Sequence, residues 1–288
     1  MILITGATGK MGGIVIETML KNGISSNQIA ALVRDEDKAT ALKAKGIDVR
    51  IGDYDNRHSL DEAMKGIDKV LLVSGLDTSK LVEQHRNVTD AAKGAGVKCL
   101  AYTSNCLKDR ETLVNNIMRT HFETEDLIIG SGMNYLIFRN VLYMDSMAGY
   151  MLGKDVLEKG INLPAGDGRV SYALRSDEAE AIGNVLSTDN CASRIFNFTN
   201  TRTYSFEDVA NALSELCGKT VTYTPLTMDI YIAEARTKGV PEHALEMIAP
   251  FYTDIANGQG STVSTDLEEA LGRKPVDLKS GLKLLLNL

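Results

Sequence analysis

The chain has 288 residues, of which 44% are hydrophobic and 24% are charged, so it can bury roughly 75% of its unfolded surface without a disulfide or metal staple. This composition excludes a disordered chain, a collagen-like repeat and a coiled coil. The 38 acidic against 31 basic residues give a formal charge of −7, which disfavours nucleic acid and anionic membranes as partners.

Short apolar runs alternate with helical stretches in the first half of the chain, as expected for strands that are covered on both faces. The predicted strands are Ile2–Thr5, Ile29–Val33, Val49–Ile51, Val70–Val73, Cys99–Thr103 and Tyr135–Phe138. The predicted helices are Gly12–Asn22, Asp37–Lys45, Ser59–Met64, Lys80–Ala95 and Glu111–Ile129. Ser59 and Glu62 have the spacing of a capping box at the third helix. This order predicts an α/β fold with a Rossmann-type, doubly wound parallel sheet.

The second half is less regular and predicts a smaller C-terminal α/β lobe. Its predicted strands are Val170–Leu174, Ile195–Thr199 and Val221–Thr224. One helix should begin near Ser176, whose hydroxyl would cap it, and another at Ser205, which has capping-box spacing to Asp208. We expect a sheet domain over residues 1–150 and a mainly substrate-binding lobe over 151–288, with the strand near 195–199 returning to the sheet.

The cysteines and the hydropathy pattern bear on the compartment. Cys99, Cys106, Cys191 and Cys217 are far apart and form no C-x-x-C motif, which predicts reduced thiols in a cytoplasmic protein rather than a disulfide framework or a zinc site. No basic region precedes a long apolar stretch, and no apolar run approaches the ~20 residues of a membrane span. We therefore expect neither a signal peptide nor a membrane anchor.

A glycine-rich turn, G-A-T-G-K-M-G, directly follows the first predicted strand. Glycine at these positions lets the pyrophosphate of a dinucleotide approach bare backbone, and the helix that follows offers its first amides to the phosphates. The predicted cofactor contacts in this turn are Gly6, Thr8, Gly9, Lys10, Met11 and Gly12.

The end of the second predicted strand indicates which dinucleotide is bound. NAD-binding folds usually carry an acidic residue there for the ribose 2′-hydroxyl, whereas this chain has Arg34, followed by Lys38. A guanidinium can hold a 2′-phosphate through its planar fork, which favours NADP(H). The alternative is that both are solvated charges at a helix edge. Asp53, after the third strand, either meets the adenine amino group or is an ordinary loop aspartate.

Eight segments spread along the chain form a combination that is more specific than the glycine turn. They read GATGKMGG, LVRD, GDYD, QHRNVTDAAKGAGVK, AYTS, HFETE, FRNVLY and PAGDGRVSYALRSDEA. Together they resemble the NmrA-like branch of the atypical short-chain dehydrogenases/reductases, and within it the type-2 NAD(P)H:quinone oxidoreductases and the triphenylmethane reductases. The resemblance runs nearly end to end and implies an NADPH-bound reductase.

Main-branch members of that superfamily carry Tyr-x-x-x-Lys, in which the lysine lowers the pKa of a proton-shuttling tyrosine. Neither residue is present where this motif should fall, at Ile117–His121, and the match from Tyr150 to Lys154 comes after the sixth strand and is coincidental. A quinone or a cationic dye is already a strong hydride acceptor, so positioning it against the dihydronicotinamide can suffice. We therefore expect direct hydride transfer from NADP(H) to a quinone or similar flat electrophile, without flavin.

Residues at the ends of the predicted strands are candidates for the pocket. Ser74 and Gly75 would let the nicotinamide ribose lie close to the backbone, and Thr103 or Ser104 would hydrogen-bond a ribose or a substrate oxygen. His121 is either a ribose contact and mild proton source or a plain helix-surface histidine. A metal site at His121 would lack a third ligand, so none is expected.

Asn140 and Tyr143 follow the sixth strand and are, with His121, the candidate catalytic residues. Asn140 could orient a quinone carbonyl or the nicotinamide amide, and Tyr143 could stack on a flat substrate. The alternative packs Tyr143 in the core. The other histidines, His58, His85 and His243, carry no local constellation and are expected to be incidental.

Two further functions remain as alternatives. The missing tyrosine is equally consistent with a non-catalytic redox sensor that binds dinucleotide and contacts a protein partner. A nucleotide-sugar epimerase or reductase is the weakest reading because the proton shuttle is absent. The expected partner is a small quinone-like electron acceptor, with no nucleic acid and no membrane, and the expected assembly is a monomer or homodimer.

Overall fold

The structure is a computed structural model that describes residues 1–75 and 77–288, and the chain forms two compact units. The first unit contains Met1–Asn105, Arg119–Arg139 and Ser176–Phe196, and the second contains Cys106–Met118, Asn140–Arg175 and Asn197–Leu288. Each unit is therefore assembled from three separate stretches of the chain.

A seven-stranded sheet positions the candidate site residues. The strands of this sheet are β1 (Ile2–Ile4), β2 (Ile29–Val33), β3 (Asp48–Ile51), β4 (Lys69–Leu72), β5 (Cys99–Asn105), β6 (Asn134–Asn140) and β8 (Arg194–Phe198), and β7 (Ile161–Leu163) and β9 (Tyr223–Pro225) form a separate short sheet. The order in the large sheet is β3-β2-β1-β4-β5-β6-β8, and the pairs β1–β2, β1–β4, β2–β3 and β4–β5 are parallel. Every residue of β2 and β4 is buried, as the continuous apolar runs predict for strands with both faces covered. The predicted Rossmann-type α/β fold is confirmed.

Helices connect and cover the strands. They are α1 (Lys10–Lys21), α2 (Thr40–Ala44), α3 (Arg57–Ala63), α4 (Leu81–Gly94), α5 (Asn116–Gly130), α6 (Met144–Ser146), α7 (Val156–Lys159), α8 (Arg175–Leu186), α9 (Phe206–Cys217), α10 (Met228–Thr237), α11 (Glu242–Ala256), α12 (Asp266–Leu271) and α13 (Leu278–Leu286). A π-helical turn spans Met147–Met151. No helix in residues 1–75 or 77–288 has both the length and the apolar character needed to cross a membrane.

Two helix starts differ from the prediction. Helix α3 begins at Arg57 and is capped by Asn56, whose side chain accepts the Ser59 amide at 3.1 Å. The capping box predicted at Ser59 is therefore wrong, because Asn56 satisfies the same need for an acceptor three residues earlier. Helix α8 begins at Arg175, so Ser176 lies inside the helix rather than at its cap.

The predicted strand Val170–Leu174 is wrong. This segment forms only isolated bridges, from Val170 to Tyr204 and from Ala173 to Tyr143. Its residues, Ser171 included, are all buried, and their backbone groups bond to irregular chain instead of to a continuous neighbouring strand.

The prediction of four reduced thiols is wrong for one pair. Cys99 and Cys191 form a disulfide within the first unit, with their Cα atoms 6.1 Å apart, a separation that suits the bond. The fold brings the start of β5 next to the segment that precedes β8, which a separation of 92 residues along the chain conceals. Cys106 and Cys217 are not in disulfides.

The second unit combines the short parallel sheet β7–β9 with helices α9 to α13. The predicted capping box is confirmed at α9, where Ser205 accepts the Asp208 amide and Asp208 accepts the Ser205 amide. The segment Cys106–Met118 is anchored in this unit by Asp254, whose carboxylate accepts the amides of residues 114 and 115 at 2.8 and 2.9 Å.

Candidate functional site

The glycine turn after β1 leads into a helix whose first amides have no side-chain cap. Gly9 is the N-cap, and the first turn contains no acidic residue. The first amide to reach back along the helix is that of Gly13, 2.9 Å from the Gly9 carbonyl. The amides of Lys10, Met11 and Gly12 precede this bond and therefore point out of the helix start, where they can bind an anion.

Two glycines in the turn are required by its geometry. Gly6 has φ +56°, in the left-handed region. A Cβ atom on Gly12 would lie 2.5 Å from the carbonyl oxygen of Gly6, so any side chain there would push helix and turn apart. Bare backbone next to free amides fits the pyrophosphate of a dinucleotide.

Arg34 and Lys38, predicted to hold a 2′-phosphate, and Asp53, predicted to meet the adenine or to be an ordinary loop aspartate, differ in their partners. Arg34 follows β2 directly, is exposed, and has no carboxylate within ion-pair distance in the described part of the chain. The Lys38 ammonium lies 3.6 Å from the Asp35 carboxylate. Asp53 forms a turn, since its Oδ1 accepts the amide of residue 55 at 2.9 Å. Arg34 is thus the cation available to a 2′-phosphate, and all three roles stay predictions.

Hydrogen bonds tie together the carboxyl ends of β1, β4 and β5. The Tyr54 hydroxyl contacts Thr5 Oγ1 and donates to the Val73 carbonyl at 2.9 Å, and burial raises the pKa of Tyr54. The Ser74 amide donates to Thr103 Oγ1 at 2.9 Å. The backbone at this edge of the sheet is therefore fixed before any ligand binds.

His85, which was expected to be incidental, is hydrogen-bonded to this edge of the sheet. Its side chain is fully buried on α4. Nε2 lies 3.1 Å from the Gly75 amide, and Nδ1 lies 2.9 Å from Thr124 Oγ1 on α5. Burial, together with the neighbouring His121, lowers the pKa of His85 to about 3.

His121 faces β5 from helix α5. Its Nδ1 lies 2.8 Å from the Tyr102 hydroxyl, its Nε2 lies 3.3 Å from Asn105 Nδ2, and its ring stacks on Tyr102. Burial lowers the pKa of His121 to about 4 and raises that of Tyr102. The imidazole is therefore neutral and hydrogen-bonded at physiological pH, and its predicted role stays a prediction.

Glu125 was not predicted as a site residue, but it organises Ser104. The Ser104 hydroxyl donates to Glu125 Oε1 at 2.5 Å, and Arg139 binds the same carboxylate through Nε at 2.9 Å and through a terminal nitrogen at 2.5 Å. Ser104 and Glu125 are both buried. The i,i+4 spacing of His121 and Glu125 was the available signal, since it places both on one face of α5.

Asn140 and Tyr143 belong to the second unit. Asn140 Nδ2 donates to the Tyr143 hydroxyl at 3.2 Å, while the buried Asn140 Oδ1 has no hydrogen-bond partner among residues 1–75 and 77–288. The Arg175 guanidinium lies over the Tyr143 ring, 4.6 Å from its centre. The unpaired Oδ1 fits a ligand that donates a hydrogen bond, such as a carboxamide.

Comparison with known proteins assigns the family. The NmrA-like family profile matches residues 1–283. This chain belongs to the NmrA-like family.

Similar proteins span its full length. Quinone oxidoreductase 2 of Escherichia coli K12 is 34% identical over 290 residues, which cover 100% of this chain and 99% of that protein. Citrobacter sp. triphenylmethane reductase, solved in complex with NADP(H), superposes with a TM-score of 0.90 at 34% identity over 99% of both chains. The Escherichia coli NADPH-dependent quinone oxidoreductase, solved with NADPH, gives a TM-score of 0.90 at 33% identity over 100% of both chains. The resemblance predicted from the sequence is confirmed.

Two surface grooves of this NmrA-like protein are lined by other residues. A groove of about 560 Å³ is lined by α9 and the segment Gly218–Tyr223, and one of about 330 Å³ lies between the Asp145–Leu157 region and α13. Both belong to the second unit, and none of the predicted site residues lines either of them.

Proposed function

We propose that this NmrA-like protein is an oxidoreductase that transfers hydride directly from NADPH to a quinone or a similar flat electrophile, without flavin. The reductase class and the NADP(H) cofactor follow from relatives that are named as NAD(P)H-dependent reductases and were solved with NADP(H). The acceptor class and the flavin-free transfer are the proposal proper.

The observation that carries the proposal is the state of the acid–base groups beside Ser104. Tyr102 has a raised pKa, His121 is neutral with a pKa of about 4, and the Glu125 carboxylate is paired with Arg139. Neither Tyr102 nor His121 is therefore poised to donate a proton during the reaction. The arrangement therefore suits an acceptor whose product anion is delocalised and takes its proton from water, as a hydroquinone anion does.

The first unit would hold the cofactor. The amides at the start of α1 would bind the pyrophosphate, and Arg34 would bind the 2′-phosphate through its fork. Ser104, whose own hydrogen is directed to Glu125, would accept a hydrogen bond from a ribose hydroxyl. When bound, NADPH supplies the hydride, and these residues fix its position.

The proposal is tested by following NADPH absorbance after addition of a simple naphthoquinone, with NADH in parallel and a blank without enzyme. We expect rapid turnover that prefers NADPH and does not depend on added flavin. Binding of NADPH without reduction of any quinone or dye would contradict the proposal.

Asn140 and Tyr143 are the proposed contacts of the reacting groups: Asn140 Oδ1 would accept from the nicotinamide carboxamide, and Tyr143 would stack on the flat acceptor. Asn140→Ala should lower turnover and largely preserve the affinity for NADPH, because the amide would orient the nicotinamide ring rather than hold phosphates. Steady-state rates together with NADPH titration measure both quantities. Unchanged turnover would contradict the role of Asn140.

A non-catalytic redox sensor is the second candidate. The observation that favours it is the same neutral, hydrogen-bonded His121 in a helix that lacks Tyr-x-x-x-Lys. A sensor should bind NADP+ and NADPH with similar affinity, reduce no acceptor and retain a protein partner in a pull-down. Turnover with a quinone would eliminate it.

A further inference from the structure

We propose that His85, held from behind by Thr124, is a positioning residue that fixes the Ser74–Gly75 backbone for the nicotinamide half of the cofactor. The inference rests on the proposed function, because it takes this segment as a cofactor contact. It adds a buried histidine and a buried threonine to the site, and neither of them touches the ligand.

The hydrogen bonds select one tautomer of His85. Thr124 Oγ1 donates its only hydrogen to the Thr120 carbonyl at 2.8 Å, so it must accept from His85 Nδ1. With the proton on Nδ1, Nε2 of the neutral ring carries a lone pair and accepts the Gly75 amide. A pKa of about 3 keeps the ring in this neutral form at physiological pH.

Other contacts also restrict the Ser74–Gly75 backbone. The Ser74 amide is already bound to Thr103 Oγ1 at 2.9 Å. A Cβ atom on Gly75 would lie 3.1 Å from Gln84 Oε1 and 3.2 Å from a methyl carbon of Leu81, so α4 packs closely against bare backbone. Three successive amides after β4 thus donate to side chains: Val73 to Thr5 Oγ1, Ser74 to Thr103 Oγ1 and Gly75 to His85 Nε2, so His85 supplies the last of the three acceptors.

The chain offers a matched pair of threonines for the test. Thr124 and Thr89 are both buried, and each donates to the carbonyl four residues earlier, at 2.8 Å in both cases. Thr89 bonds to the backbone carbonyl of His85, whereas Thr124 accepts from its ring. Thr124→Val and Thr89→Val thus remove equivalent helix contacts, and the first also releases the imidazole and a contact with the Tyr102 hydroxyl.

The experiment titrates two ligands against wild-type protein and four variants: His85→Leu, His85→Gln, Thr124→Val and Thr89→Val. NADPH reports on both halves of the site, and adenosine 2′,5′-bisphosphate reports on the adenosine half alone. His85→Leu should raise the Kd for NADPH about tenfold, because it leaves the Gly75 amide without an acceptor. Thr124→Val should raise it in the same direction, and neither should change the Kd for the bisphosphate.

The remaining variants decide between positioning and general stability. His85→Gln keeps an acceptor near the Nε2 position and should restore NADPH affinity, and Thr89→Val should match wild type. Equal weakening of both ligands, or equal effects of the two threonine variants, would overturn the proposal, as would unchanged NADPH affinity. If His85→Leu does not fold, the threonine pair decides alone. Binding is measured without an acceptor, so failure of quinone reduction leaves this result readable.

Discussion

Arg34 and Lys38 both follow β2, but only Lys38 is paired with a carboxylate. An ion pair must be broken or shared before Lys38 can bind a phosphate, whereas the Arg34 guanidinium is exposed and has no such competitor in the described chain. The fork geometry of arginine also matches a phosphate better than an ammonium does. Discrimination between the two nucleotides should therefore depend on Arg34.

Arg34→Ala should lower the affinity for NADPH about tenfold or more, because a pair of charge-assisted hydrogen bonds is lost, and should leave the affinity for NADH nearly unchanged. Fluorescence titration with both nucleotides measures the difference. Lys38→Ala is the control and should have a smaller effect. Equal weakening of NADPH and NADH by Arg34→Ala would remove the 2′-phosphate site.

At the residue scale, a site residue can be predicted from the sequence where its signal is local. The glycine turn and Arg34 could be predicted because strand, turn and helix follow one another directly. The hydrogen bonds of His85 were not predicted, because its partners lie 10 and 39 residues away. The contact of Glu125 with Ser104 spans 21 residues, and the i,i+4 spacing to His121 indicates only the helix face of Glu125, not this partner.

At the scale of elements, the start of α1 depends on two adjacent glycines that serve different ends. Gly12 packs on the turn, where a Cβ would lie 2.5 Å from the Gly6 carbonyl oxygen. Gly13 has more room, since its nearest such neighbour is 3.8 Å away. The two positions therefore separate the geometry of the turn from helix propensity.

Gly12→Ala should lower the affinity for NADPH at least about tenfold and lower the unfolding free energy by about 1–3 kcal/mol, because the added methyl group forces the turn to open. Gly13→Ala should bind normally and gain up to about 1 kcal/mol from helix propensity. Nucleotide titration and urea unfolding measure both effects. Normal NADPH binding by Gly12→Ala would show that the turn does not bind the phosphates of the cofactor.

The predicted strands are correct where an apolar run also forms the backbone hydrogen bonds of a sheet. β2 was predicted over its full length, Ile29–Val33, because a buried parallel strand needs a continuous apolar run. Val170–Leu174 is also mostly apolar and buried, but its amides reach irregular partners such as the carbonyls of Tyr204 and Gly260. An apolar composition indicates that a segment is buried, but the partners of its backbone hydrogen bonds depend on the fold.

At the scale of the molecule, two buried neutral histidines link stability to pH. The folded pKa values of His85 and His121, about 3 and about 4, lie below the ordinary 6.5. Between about pH 4 and 6.5 the unfolded chain therefore binds more protons than the folded one. The free energy of unfolding must fall as the solution is acidified through this window.

His85→Gln should flatten this dependence, because each such histidine contributes up to about 1.4 kcal/mol per pH unit. Urea unfolding at pH 7, 6 and 5 measures the slope. His58→Gln replaces an exposed histidine and should keep the wild-type slope. Identical slopes in all three proteins would mean that His85 is not buried in its neutral form.

The Cys99–Cys191 disulfide should contribute about 2–4 kcal/mol to folding by restricting the unfolded chain. Under oxidising conditions Cys191→Ser should lose that stability, whereas Cys217→Ser, which removes a thiol outside the bond, should lose little. Addition of dithiothreitol should lower the unfolding free energy of the wild-type protein to that of Cys191→Ser. Denaturant unfolding with and without reductant measures these differences. An unfolding free energy of the wild-type protein that does not change with reductant would contradict the prediction.

The same bond makes part of the polypeptide a covalent ring. The joined residues are 92 positions apart, and the ring includes Cys106–Met118 and Asn140–Arg175, while Asn197–Leu288 is a tail outside it. A single protease cut within the ring releases no fragment while the bond is intact, whereas a cut in the tail releases one at once. Electrophoresis with and without reductant would therefore tell which of the two was cut.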